Sequence, residues 1–239
     1  MKSIILFLFL LLPILSFVTI SMAADIFRCK KDSGTFQPTS PYKTNIQAAL
    51  KKLVDGSNTA FFGIRQDEVK AVALCAGYLN PKDCASCLNT SIPLLLQKCP
   101  NQKIAAAWRN TCMIRYGAPV ETTYDLWFVE HEVSVTKAKD VQGLENNLPM
   151  LVQRLALSIG RDRSSQLSKY GYGTQGYGSP PQSLHLVMQC SPDTKVDDCK
   201  KCVFHLSEEM KRCCGGAMGA TMFTPNCYMR YAHDDFRTK

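Results

Sequence analysis

The residues of this chain that could do chemistry are its twelve cysteines, and ten of them are arranged twice over. Cys75, Cys84, Cys87, Cys99 and Cys112 recur at one offset, 115 residues, as Cys190, Cys199, Cys202, Cys214 and Cys227. The end of the unit recurs as well: Cys112-Met-Ile-Arg-Tyr116 answers Cys227-Tyr-Met-Arg-Tyr231. One offset shared by several scarce residues marks two copies of one unit, each with its own crosslinked core. Three chemistries use Cys-x-x-Cys. Zinc would draw on Cys75, Cys84, Cys87 and Cys99. A thioredoxin-type redox pair would be Cys84-Ala-Ser-Cys87 or Cys199-Lys-Lys-Cys202, helped by the low thiol pKa at a helix start. Structural disulfides are the third. Redox pairs do not normally carry further cysteines at fixed spacing, and the N-terminus points to an oxidising compartment, so disulfides are the expectation.

Other candidates for catalysis are thin. His131, His185, His205 and His233 are scattered and fall in no nucleophile or metal motif. Glu208-Glu209 and Asp234-Asp235 read as solvated faces. No enzyme activity, catalytic residue, metal or cofactor is expected. Asn89-Thr90-Ser91 is a glycosylation sequon, which would place a sugar chain on a helix.

Met1 to Ala23 reads as a secretory signal. Lys2 supplies the positive start, Ile4 to Ile20 is mostly apolar, and Ser21-Met22-Ala23 gives small residues before a cut. No second apolar run of spanning length follows, so the mature part is expected to be soluble and extracellular, with no transmembrane anchor. It suits two domains of about 100 residues. Domains of that size bury modest cores, so crosslinks matter. The formal net charge of +8 suits anionic cell-wall polymers or microbial surfaces, or simply solubility. No basic run is long enough to suggest nucleic acid.

The elements that must position the cysteines follow from pattern. Asp25 to Thr39 reads as strand and turn around Cys29. Ser40-Pro41-Tyr42 opens a helix with Ile46, Leu50 and Leu53 on one face. Val69 to Leu74 reads as a buried strand. Asn80-Pro81-Lys82-Asp83 starts a second helix that carries Cys84 and Cys87 one turn apart, with Pro93 awkward inside it. Ile104 to Trp108 and Thr111 to Tyr116 read as paired strands, and Thr123 to Val129 as a third. In the second copy, Asn147 to Ile159 is the first helix, Ser183 to Met188 the strand and Val196 to Met210 the second helix. Tyr170 to Gly178 is too glycine-rich for regular structure and reads as an inserted loop, whose tyrosines could stack on sugar rings or a partner. The order argues for an α+β fold: two tandem domains, each an antiparallel sheet with two helices packed on one face, stapled by disulfides. The expected division is signal peptide 1–23, first domain 24–130, linker 131–146 and second domain 147–239.

The spacing Cys-x8-Cys-x2-Cys, the later cysteines 12 and 13 positions on, and the Cys-x-x-Arg-Tyr ending resemble the plant Gnk2-homologous domain, also called DUF26 or the stress-antifungal domain. Two such copies behind a signal peptide are similar to the plant cysteine-rich repeat secretory proteins. The resemblance implies the pairs Cys29–Cys99, Cys75–Cys84 and Cys87–Cys112, then Cys190–Cys199 and Cys202–Cys227. Cys214 has no N-terminal partner, since no cysteine lies between Cys112 and Cys190, and Cys213 sits beside it. That leaves two buried thiols, which is the expectation, or a vicinal disulfide. Ginkbilobin-like members of the family bind mannose through an Asn, an Arg and a Glu. Those positions hold Lys30, Ala106 and Gly117 in the first copy, and those that can be matched in the second hold Thr221 and Ala232. Alanine and glycine offer no side-chain hydrogen bonds, so mannose binding there is not expected. Arg109 is a substitute candidate; Arg115 and Arg230 are others, although their repeated position suggests a structural role.

The resemblance implies a non-enzymatic binding protein of the apoplast in plant defence or stress response, lectin-like or antifungal, acting on cell-wall or microbial carbohydrate. The alternative is a protein-interaction module of the cell-wall space that binds an extracellular protein partner and no sugar.

Overall fold

Each half of the chain repeats one order of elements in the computed structural model, which describes residues 25–56, 61–109, 111–117, 128–161 and 168–237. The first half runs β1 (Ile26–Cys29), a 3-10 turn (Lys31–Ser33), α1 (Pro41–Asp55), β2 (Phe61–Gln66), β3 (Val69–Cys75), α2 (Pro81–Lys98), β4 (Ala105–Trp108) and β5 (Cys112–Gly117). The second runs β6 (Glu130–Val133), α3 (Val141–Ser158), β7 (Tyr170–Tyr177), β8 (Gln182–Cys190), α4 (Val196–Cys214), β9 (Gly219–Phe223) and β10 (Cys227–Ala232). Among the described residues the strands form two five-stranded antiparallel sheets, ordered β1-β4-β5-β3-β2 and β6-β9-β10-β8-β7. Position for position the two orders are the same.

The helices start and stop where local chemistry dictates. Pro41 follows Ser40 into the first turn of α1, where a missing N–H costs nothing. Asn80 caps α2 by accepting from the Asp83 N–H at 3.0 Å, and Asp140 caps α3 by accepting from the Gly143 N–H at 2.8 Å. Asp197 and Asp198 sit in the first turn of α4 and Lys211 and Arg212 in its last, each sign opposite the helix dipole. Pro93 lies inside α2 and the helix continues through it.

Each helix pair buries its apolar stripe on one face of its own sheet. In the first core, Ile46, Leu50, Leu53, Leu88 and Leu95 meet Val69, Ala71, Ala73 and Ile114. In the second, Leu144, Leu151, Leu155, Val203 and Leu206 meet Leu184, Leu186, Met188 and Met229. Disulfides tie helix to sheet: Cys75–Cys84 and Cys87–Cys112 in the first core, Cys190–Cys199 and Cys202–Cys227 in the second. Cys29–Cys99 fastens the end of β1 beside the end of α2.

Three expectations need correction, and a fourth falls mostly outside the described residues. The stretch 131–146 is no linker: β6 pairs with β9 through Glu130 to Val133, and α3 begins at Val141. Tyr170 to Tyr177 is no loop but the edge strand β7, paired with β8 along its whole length. Its glycines serve packing, since a Cβ on Gly173 would come within 3.0 Å of Leu155 and 3.2 Å of Leu151 on α3. Of the strand expected over Thr123 to Val129, residues 123–127 lie outside the described residues, and Phe128 and Val129 are not in a strand. Cys213 and Cys214, expected as buried thiols, are bonded to each other; Cys214 is buried and Cys213 exposed.

Candidate functional site

Strands β3, β4 and β5 are buried on both sides and apolar but for Lys70 and Arg115, so the sheet face away from the helices also needs cover. The second copy supplies it. Leu74, Ala106, Trp108 and Met113 pack against Phe223, with Ile26, Phe128 and Tyr228 around them. The ring of Trp108 meets Phe128 edge-on at 4.7 Å and Phe223 at 6.4 Å. Thus the two helix-free faces close on each other.

The contact is made between like positions. Trp108 and Phe223 are one position of the two copies, as are Met113 and Tyr228, and Leu74 and Gln189. The polar pairs obey the same rule. Arg115 donates to Asp193 at 2.6 and 2.7 Å, and its counterpart Arg230 faces Tyr78, the counterpart of Asp193, near enough for its charge to oppose the burial that raises the Tyr78 hydroxyl. Lys70 adds a second cation at 2.7 Å from Asp193. Burial pushes the Asp193 carboxyl up, but Arg115 and Lys70 outweigh it and hold the group down at about 2. Gln189 closes the remaining backbone groups: it donates to the Cys75 carbonyl at 2.9 Å and accepts from the Gly77 N–H at 3.1 Å and the Tyr228 hydroxyl at 3.1 Å. Arg28 donates to Glu130 at 2.6 Å across the same boundary. Beyond it, Phe236 near the C-terminus is buried beside Tyr78, Tyr172 and the Arg230 guanidinium, which lies 4.7 Å from its ring.

Of the positions that resemblance marks for mannose, one falls in this contact and the others lie on or beside strands of the two sheets. Ala106 is fully buried within it. Lys30 follows β1, its N–H donating to the Ile104 carbonyl at 3.0 Å. Gly117 ends β5, where a Cβ would come within 2.7 Å of the Ile104 side chain, so no larger residue fits without a shift. In the second copy, Thr221 and Ala232 lie on β9 and β10. The substitute Arg109 reaches a small cleft beside Trp108, Thr111 and Tyr228, but its guanidinium is held by Asp25 at 2.6 Å and Thr90 at 2.8 Å. Arg115 and Arg230 serve the domain contact.

The tyrosines of β7 are likewise engaged. Arg237 covers Tyr172 at 3.8 Å from its ring, and the Tyr172 hydroxyl bonds His185 Nδ1 at 2.7 Å. Tyr177 is buried and bonds His233, whose Nδ1 donates to the Met218 carbonyl at 2.7 Å. Tyr170 lies against Gly77 of the first copy. His131 is exposed on β6, and His205 lies beside Glu209 on α4. Among the described residues no three His, Cys, Asp or Glu side chains converge as a metal site. Asn89 is exposed on α2. Sequence reading missed Asp193, Gln189 and Phe236; the available signal was the apolar run Ala71 to Cys75 in β3, which calls for cover on two sides.

Comparison with known proteins supplies the kinship. The salt stress response/antifungal (Stress-antifung) family matches residues 28–118 and again 131–234. Cysteine-rich receptor-like protein kinase 27 of Arabidopsis thaliana is 30% identical over 85% of this chain and 32% of its own. Cysteine-rich repeat secretory protein 38 of the same plant is 26% identical over 85% of this chain and 82% of its own. The chain thus spans about a third of the kinase relative's length, and most of the secretory one's. In fold it resembles the tandem DUF26 ectodomain of the Arabidopsis thaliana receptor-like protein PDLP8, with a TM-score of 0.69 at 22% identity over 87% of this chain and 97% of that one. No helix among the described residues is long and apolar enough to cross a membrane. Two matched copies, covering most of the sequence, make this chain a member of the salt stress response/antifungal family with two tandem Gnk2-homologous domains.

Proposed function

We propose that this is a secreted, non-enzymatic binding protein of the cell-wall space, serving defence or stress response, and that its ligand is another extracellular protein rather than mannose. One observation carries the reading: Ala106, which stands where the family's mannose-binding arginine would be, is buried between the two domains. Neither Lys30 nor Gly117 restores the lost donor and acceptor set. The tyrosines of β7, the other candidate for stacking on sugar, are occupied by Arg237, His233 and the first domain. The family's description and the extracellular relatives support the setting.

The test uses the full oxidised chain, immobilised, against a glycan array that includes mannose and mannan, and in parallel against extracellular fluid. Silence on the array, with saturable retention of one protein from the fluid, is the expected result. Retention of mannan would overturn the reading and return the lectin-like, antifungal role.

A further inference from the structure

The sequon Asn89-Thr90-Ser91 lies in the middle of α2, and its parts face opposite ways. Asn89 is exposed. Ser91 is 1% exposed, and its hydroxyl donates to the Cys87 carbonyl at 2.6 Å. The same oxygen lies 3.9 Å from the Cys87 sulfur and 3.7 Å from the Cys112 sulfur. Residues two apart on a helix point about 200° from each other. A transferase that reads the Asn amide and the hydroxyl two residues on therefore cannot read both on the folded helix. Yet the finished site has room, because Asn89 is exposed on α2, whose buried side chains pack into the first core and not into the domain contact.

We propose that Asn89 carries an N-linked glycan that can be attached only before the Cys87–Cys112 disulfide closes, so that folding of the first domain and glycosylation compete. In the step, Asn89 Nδ2 bonds the anomeric carbon of an oligosaccharide borne on a polyprenyl diphosphate. The carbon–oxygen bond to the diphosphate breaks, the lipid diphosphate leaves with the electron pair, and the amide proton passes to a base of the transferase. Closing the disulfide draws Ser91 into the core and ends access. The proposal rests on the secreted reading of the chain.

The experiment is translation of the full chain into endoplasmic reticulum vesicles, followed by protease protection, endoglycosidase treatment and mass measurement of the Asn89 peptide. The expected result is a protected chain with one glycan, absent from Asn89→Gln and from Ser91→Ala. Its occupied fraction should rise with dithiothreitol and in Cys112→Ser. It should not rise in Cys227→Ser, which opens the matching bond of the second domain and controls for general misfolding. A protected chain with no glycan in any condition would overturn the site. Equal occupancy in wild type, Cys112→Ser and Cys227→Ser would overturn the competition. A chain left outside the vesicles would overturn both this inference and the secreted reading.

Discussion

Asp193 sits 12% exposed between Lys70 and Arg115 and belongs to the domain opposite both. Its carboxyl is held at about 2 in the fold, below the ordinary carboxylate value near 3.9 of an unfolded chain. The sign follows: the ionised form favours folding, so the contribution is complete above about pH 4 and is lost as pH falls toward 2. The shift corresponds to on the order of 2 kcal/mol. Asp193→Asn should lower stability at pH 7 by about 1–3 kcal/mol, because two cations lose their partner. Urea unfolding at pH 7 and pH 2 checks this; the variant and wild type should converge at the acid end. Sequence gave no reason to single out Asp193, which lies in an ordinary Ser-Pro-Asp turn. Only its place opposite Arg115 makes it matter, and that place depends on tertiary packing.

Between helices and sheets the disulfides differ in how much chain they close. Cys29–Cys99 spans 70 residues, Cys87–Cys112 spans 25 and Cys75–Cys84 only nine. By loop-closure entropy these stabilise by roughly 4.4, 3.5 and 2.6 kcal/mol. Serine replacement of each pair should therefore destabilise in that order, read as unfolding free energies extrapolated to water, with the denaturant slope rising as the unfolded chain loses its crosslink. Legibility at this scale depended on burial. Helices α1 and α4 were plain because their apolar residues recur at helical spacing against a core. β6, Glu-His-Glu-Val, lies at a sheet edge and carries no apolar alternation, so it reads as linker. β7 misled in the opposite way: its glycines resemble a loop, while Gly171 and Gly173 let α3 approach the sheet closely.

For the molecule as a whole, the contact between helix-free faces decides whether the two domains act as one body. Trp108 is 1% exposed there. Trp108→Ala should cost about 3–5 kcal/mol. In a double-mutant cycle with Phe223→Ala, thermal unfolding should show a coupling energy, since the two rings touch. Small-angle scattering would then report a larger radius for the double variant. The tandem α+β architecture was legible from the repeat alone. The mutual burial of the two sheets was less so, because an apolar outer face does not say what covers it.

That contact joins like to like, and nothing in it distinguishes a partner domain in the same chain from one in another. Two chains could exchange their second domains and reproduce both contacts without any new surface. What favours the closed monomer is the tether, which keeps the two faces at an effective concentration on the order of millimolar. Refolding at dilute protein should give monomer alone. Refolding near the tether's own concentration should yield an exchanged dimer, seen by light scattering after size exclusion, with each domain's disulfides intact.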